Sequence, residues 1–175
     1  PEGAAHADPH VWGDAQLWAK CLEPVVEGLS RVLPEKAGIF AQRGLQWRAS
    51  TLALHDWAKA EAAKIPAERR VLITSHDAFN YFGRAYGFQV VGVQGISTVS
   101  EAGLADVAKT VDFIKARQVK AIFVESSVPH ATIERIAKDS GAKIGGELFS
   151  DALGAGQTYE QMLRFNVSTI VEALK

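Results

Sequence analysis

The segment RVLITSHDAFNYFGRAYGFQVVGV, residues 70–93, changes texture twice in a short stretch. Residues 70–74 are a brief apolar run of the kind that reads as a strand buried on both faces. Residues 77–86 read as a helix, and residues 88–93 read as the next strand. Two strands joined through a helix are expected to run parallel. His76, beside Asp77, sits just past the end of the first strand.

The same alternation continues downstream. Thr98-x-x-Glu101 has the form of a capping box, in which each side chain satisfies the other's free backbone donor. It precedes Leu104, Val107, Ala108, Val111 and Ile114 at helical spacing. AIFVE (121–125) is a third strand, and Pro129 suits the first turn of a following helix. AKIGGEL (142–148) is a fourth strand. Thr158-x-x-Gln161 forms another capping box, ahead of Leu163, Val167, Ile170 and Leu174 on one helical face. Strand and helix alternating four times predict an α/β unit over residues 67–175, with a parallel four-stranded sheet flanked by helices.

Upstream the texture is helical. Leu17, Cys21, Val25, Leu29 and Leu33 recur four apart over residues 14–33, with Pro24 placed to kink that helix or begin a second one. Residues 36–66 predict one long helix, in which Ala49, Leu52, Ala53, Trp57 and Ala60 keep helical spacing and the alanines favour the conformation. At 1.5 Å per residue it would extend about 40 Å, enough for a rigid strut between two lobes. Residues 1–35 do not complete a lobe; they read as the end of one.

Composition narrows the function. The chain of 175 residues has 47% apolar and 22% charged residues and a formal net charge of −1. Its Lys and Arg are scattered, which argues against nucleic acid as a partner. No apolar run approaches the roughly 18 residues of a membrane span. Cys21 is the single cysteine, so neither an internal disulfide nor a thiolate metal cluster is expected. PEGAAHADPH at the start lacks the basic-then-apolar pattern of an intact secretory leader.

In open parallel sheets, ligands gather beyond the carboxyl ends of the strands. His76, Glu125 and Asp151 each fall at such an end and would face one crevice. Taken singly, each has a plainer reading. His76 could cap or hydrogen-bond, Asp151 after Ser150 could belong to a turn, and Glu125 could accept amides of the next helix. His10 in DPHVWGD could close a turn. His55 and His130 read as surface residues, and His6 lies in a small-residue segment. Together, imidazole and carboxylate suit a borderline divalent ion such as zinc. There is no G-x-S-x-G elbow, no H-E-x-x-H and no glycine-rich phosphate loop after VLIT.

DPHVWGD, TSHDAFNYFGRAYGF, GISTVSEAG, IFVESSVPHATIE and GGELFSDALG follow one another in a characteristic order and spacing. Through them the chain resembles the TroA-like zinc and manganese solute-binding proteins of ABC importers, over essentially its whole length. The resemblance implies two α/β lobes joined by a long helix, with a metal in the cleft. It implies that residues 1–35 end an N-terminal lobe, 36–66 form the linker helix, and 67–175 form the C-terminal metal-binding lobe. Three of the family's four ligand positions fall on His10, His76 and Asp151. Glu125 matches a glutamate that orients its neighbours rather than binding the ion. The first ligand, with most of the first lobe, is expected to precede residue 1, with His6 as the sole substitute within residues 1–9. D-P-H-V-W is commonly followed by Leu-Asp-Pro in the family; here it is Gly13-Asp14-Ala15, a loop change that leaves His10 intact.

The function implied is capture of a divalent ion outside the cytoplasm, in a periplasm or at an anchored cell surface, and its delivery to an ABC membrane permease, with no covalent chemistry. Three histidines and an aspartate favour zinc over manganese, the harder ion preferring more oxygen ligands. A surface otherwise covered by the first lobe would favour self-association. Two rival readings are a metal-dependent hydrolase using the same His/His/Asp cluster and a purely structural or interaction module.

Overall fold

The computed structural model describes residues 7–96 and 102–175. His6 and the capping box read at Thr98 and Glu101 lie outside the described residues. The four expected strands are all present: β1 (Val71–Thr74), β2 (Gln89–Gly92), β3 (Ala121–Glu125) and β4 (Lys143–Leu148). β1 pairs with β2 and β3 with β4, both in parallel. The α/β class therefore stands, while the single four-stranded ladder is corrected to two two-stranded sheets. The two pairs nonetheless build one layer. Leu72 and Phe123 enter one apolar cluster, whereas Ile73, Ile122 and Val124 enter another. Side-chain packing closes the seam between β1 and β3. At its carboxyl end the His76 amide donates to the Glu125 carboxylate (2.8 Å) instead of to a neighbouring strand. A register shift at Ile122/Phe123 passes over Gly145, a bulge in β4.

Helices cover both faces. α3 (Ala37–Ala62), α4 (Asn80–Tyr86) and α7 (Tyr159–Leu174) supply Leu54, Ala58, Phe82, Leu163, Val167 and Ile170 to the first cluster. α5 (Leu104–Arg117) and α6 (Ala131–Ser140) supply Ile114, Ile133 and Ile136 to the second. α7 begins at the expected capping box: the Gln161 amide donates to the Thr158 hydroxyl, and the Thr158 amide to the Gln161 side chain. α4 starts at Asn80 rather than 77, because residues 75–79 are spent on the turn that carries His76. On α5 the buried positions are Thr110 and Ile114, and Leu104 at its first turn is exposed. Pro129 precedes α6 by one cap residue, His130.

The N-terminal part is a broken helix. α1 (Ala15–Trp18) passes through a 3-10 turn at Ala19–Cys21 into α2 (Leu22–Val32), with Pro24 in the first turn of α2, as a second helix requires. The four-apart stripe on α2 stays open, Val25 and Leu29 being 50% and 43% exposed. α3 is one helix of 26 residues, matching the expected long helix. Its buried face is Thr51, Leu54, His55, Ala58 and Ala62 rather than the Ala49–Leu52–Ala53 series, which is turned away from the core. No helix among the described residues is long and apolar enough to cross a membrane.

Candidate metal centre

His76 is the second residue past β1 and is buried. The turn carrying it passes tightly against β2: a Cβ built on Gly92 would stand 2.7 Å from the Asp77 Cα, so only glycine lets the turn lie there. The Thr74 hydroxyl donates to the His76 carbonyl (2.9 Å), and Glu125, the last residue of β3, takes the His76 amide. The other Glu125 oxygen lies 2.7 Å from His76 Nδ1, a short contact bent off the straight N–H···O line. Glu125 is fully buried, so its charge is matched locally by His76.

His10 is placed from both sides. Its amide (3.0 Å) and its ring Nδ1 (2.7 Å) both meet Asp8 Oδ1, while Asp8 Oδ2 accepts from the Asn80 amide nitrogen at the start of α4 (3.3 Å). Two residues on, the Trp12 indole donates to the Ser150 carbonyl (2.7 Å), and the Tyr159 hydroxyl donates to the Trp12 carbonyl (2.8 Å). Asp151 follows β4 by three residues. Its loop is held where the buried Asn166 of α7 donates to the Phe149 carbonyl (2.7 Å) and accepts from the Phe149 amide (3.0 Å).

These three anchorages bring His10, His76 and Asp151 together. His10 Nε2 is 3.3 Å from Asp151 Oδ1, and His76 Nε2 is 3.4 Å from Asp151 Oδ2. The imidazole centroids are 5.4 Å apart at 71°. One ligand atom of each residue lies within 4.8 Å of the other two. A tetrahedral zinc with bonds near 2.0–2.1 Å separates its donors by roughly 3.3 Å. With each Nδ1 turned to a carboxylate, each Nε2 is left as a lone-pair donor. Two such nitrogens and a carboxylate oxygen converge as acceptors, an arrangement that a cation satisfies.

The surrounding carboxylates also shift how His76 and Asp8 titrate. Burial pulls the His76 pKa down, but the Glu125 hydrogen bond and the charges of Glu125, Asp151 and Asp77 outweigh it and leave it raised. Burial likewise pushes Asp8 up, and the His10 amide, the His10 ring and Asn80 together bring it below the usual aspartate value.

His10, His76 and Asp151, the three positions that the resemblance points to, lie together, and Glu125 contacts His76. Asp8, Asn80 and Asn166 were not singled out in the sequence. Asp8 had a usable signal, a carboxylate two residues before an imidazole; Asn166 had one also, as the polar residue on the apolar face of α7. His55, read as a surface residue, is buried beside Asp14 (3.5 Å) and against the Tyr86 ring. His130 is partly exposed and faces Glu147 (3.3 Å).

Comparison with known proteins places this geometry in context. The family described as zinc-uptake complex component A, periplasmic, matches residues 1–173. The zinc-binding protein TroA of Treponema pallidum (strain Nichols) is 46% identical over 179 residues, covering 97% of this chain and 58% of that protein. The manganese-binding lipoprotein MntA of Bacillus subtilis (strain 168) is 43% identical over 177 residues, with 96% and 58% coverage. The solved structure of periplasmic zinc-binding TroA from Treponema pallidum superposes with a TM-score of 0.94 at 45% identity, over 99% of this chain and 66% of that one. The chain therefore spans a little under three fifths of the length of these curated relatives.

Proposed function

This chain belongs to the family of periplasmic zinc-uptake complex component A, and on that premise we propose that it is the metal-holding part of an extracytoplasmic receptor that captures a divalent ion and delivers it to an ABC import permease. The single observation that carries the reading is the convergence of His10 Nε2, His76 Nε2 and an Asp151 oxygen, each on a differently anchored segment. The ion is cargo. Two imidazoles and one carboxylate favour zinc over manganese as that cargo, the harder ion preferring more oxygen ligands. The family description and the lipoprotein relative support a periplasmic or surface-anchored location. We assign residues 1–35 to the end of a first lobe, 36–66 to a linker helix and 67–175 to the lobe that brings His76 and Asp151.

A hydrolase built on the same cluster would need a free base beside the ion. The nearby carboxylates of Asp8 and Glu125 are both committed to histidines, so the geometry favours binding over turnover.

Isothermal calorimetry with zinc and with manganese tests the reading. One equivalent of zinc is expected to bind more tightly than manganese. His76→Ala is expected to lose more affinity than the about 10–100-fold that a lost orienting partner costs. Equal heats from wild type and His76→Ala would refute it.

A further inference from the structure

His10 is bracketed by its own neighbours. Downstream, Trp12 is pinned to the loop that carries Asp151, through the Ser150 carbonyl (2.7 Å). Upstream, Asp8 reaches the opposite wall: Oδ1 holds the His10 ring, and Oδ2 takes the side-chain amide of Asn80, four residues after His76 on the first turn of α4. The Asp8–Asn80 contact is thus a side-chain link between the two segments that supply the imidazoles. The two histidine–carboxylate pairs also differ in rigidity. Glu125 is fully buried at the end of a core strand, whereas Asp8 lies on an irregular segment with a side chain 17% exposed. His76 therefore has a fixed carboxylate, and His10 has one whose position depends on Asn80.

We propose that Asp8 and Asn80 are positioning residues forming a strap that sets the separation of the His10 and His76 imidazoles, and that this separation selects a small tetrahedral ion over a larger one. The inference rests on the metal-binding reading above. An Asp8 carboxylate free of Asn80 could still hold the His10 Nδ1 proton, but it could follow the ring outward. The site would then open toward the longer bonds and higher coordination number of manganese. Asp8→Asn removes the charge and leaves one acceptor oxygen where two are needed, so the ring bond and the tether cannot both be kept, whereas Asn80→Ala removes only the tether.

The test uses the full chain with Asp8→Asn, Asn80→Ala and the double variant. Zinc and manganese affinities are measured together with the visible absorption of the cobalt form, which reports coordination geometry. Asp8→Asn is expected to weaken zinc binding about 10–100-fold. Asn80→Ala is expected to narrow the zinc-to-manganese affinity ratio about tenfold, mainly through zinc, and to weaken the tetrahedral cobalt bands. The double variant is expected to match Asp8→Asn, since the tether acts through the carboxylate. In the metal-free protein, nitrogen-15 histidine spectra are expected to show His10 protonated at Nδ1 in the wild type and in Asn80→Ala, and in mixed tautomers in Asp8→Asn.

An unchanged zinc-to-manganese ratio in Asn80→Ala, or additive losses in the double variant, would overturn the strap. A wild type that takes up no zinc would instead overturn the metal-binding reading. The metal-free spectra still report on Asp8 in that case, and an unaltered His10 tautomer in Asp8→Asn would sink its positioning role independently.

Discussion

At the scale of single residues, the two histidines differ in the carboxylate behind them, and His76 gives a sign that can be measured. Its pKa is held above 6.5, burial being outweighed by the hydrogen bond and charge of Glu125 and by the charges of Asp151 and Asp77. A zinc ion must displace that proton. Zinc affinity is therefore expected to be full above the raised value and to fall as pH drops through it, beginning above 6.5. The metal-free protein should respond in the opposite sense. A folded-state pKa above the unfolded one adds stability that is present below about 6.5 and is lost as pH rises through the raised value. Melting curves between pH 8 and 6 should show the metal-free midpoint rising on acidification while the increment from zinc shrinks. Asp8, held below its usual value, loses its contribution only under more acid conditions, outside this window. Glu125→Gln should lower the His76 pKa and flatten both trends; an unaltered pH profile in that variant would disprove the coupling. The strand ends drew attention to His76, Glu125 and Asp151, and only the motif resemblance to His10. Asp8 and Asn80 were not legible, since their contact joins residues 72 positions apart and only the folded chain puts them together.

Elements were legible where a period is unambiguous. The strands at 71–74 and 121–125 and the face of α7 follow from short apolar runs and from a capping box with clear helical spacing. The buried face of α3 was not legible, because an alanine-rich helix presents several nearly equivalent stripes, and the one that docks is chosen by α4 and α7. The pairing of the strands was equally hidden. Four short parallel strands are compatible with one ladder or with two, and the seam is decided by contacts such as Glu125 to His76. Two glycines separate the contribution of an element to stability from its contribution to the site. At Gly83 on α4, a Cβ would run into Val90 Cγ2 and stand 2.9 Å from the Phe88 carbonyl. At Gly92 it would meet the Asp77 backbone beside His76. Gly83→Ala and Gly92→Ala are each expected to cost about 1–3 kcal/mol in denaturant melts, from overpacking. Only Gly92→Ala should also weaken zinc binding at a temperature where both variants remain folded. Equal zinc affinity in the two would show that the tight turn does not set the position of His76.

For the whole molecule, the long helix decides how the protein can move. α3 runs 26 residues from Ala37 to Ala62 without proline, about 39 Å at 1.5 Å per residue. Its C-terminal half is locked into the core by Leu54, His55, Ala58 and Ala62, while its N-terminal half carries α2 and leaves Ile39 and Leu45 half or more exposed. A wide hinge needs a few residues that can absorb a large change in backbone angles, and an unbroken helix offers none. The prolines at 34 and 66 lie outside it, and the site itself draws on segments held to the core by Trp12, Tyr159 and Asn166. Ion binding is therefore expected to draw side chains inward with slight rocking about α3, and to leave the overall envelope unchanged. Small-angle scattering profiles with and without saturating zinc should superimpose. A compaction of several ångströms in the radius of gyration would mean that α3 bends or unlocks from the core, and the helix would then be a hinge rather than a strut.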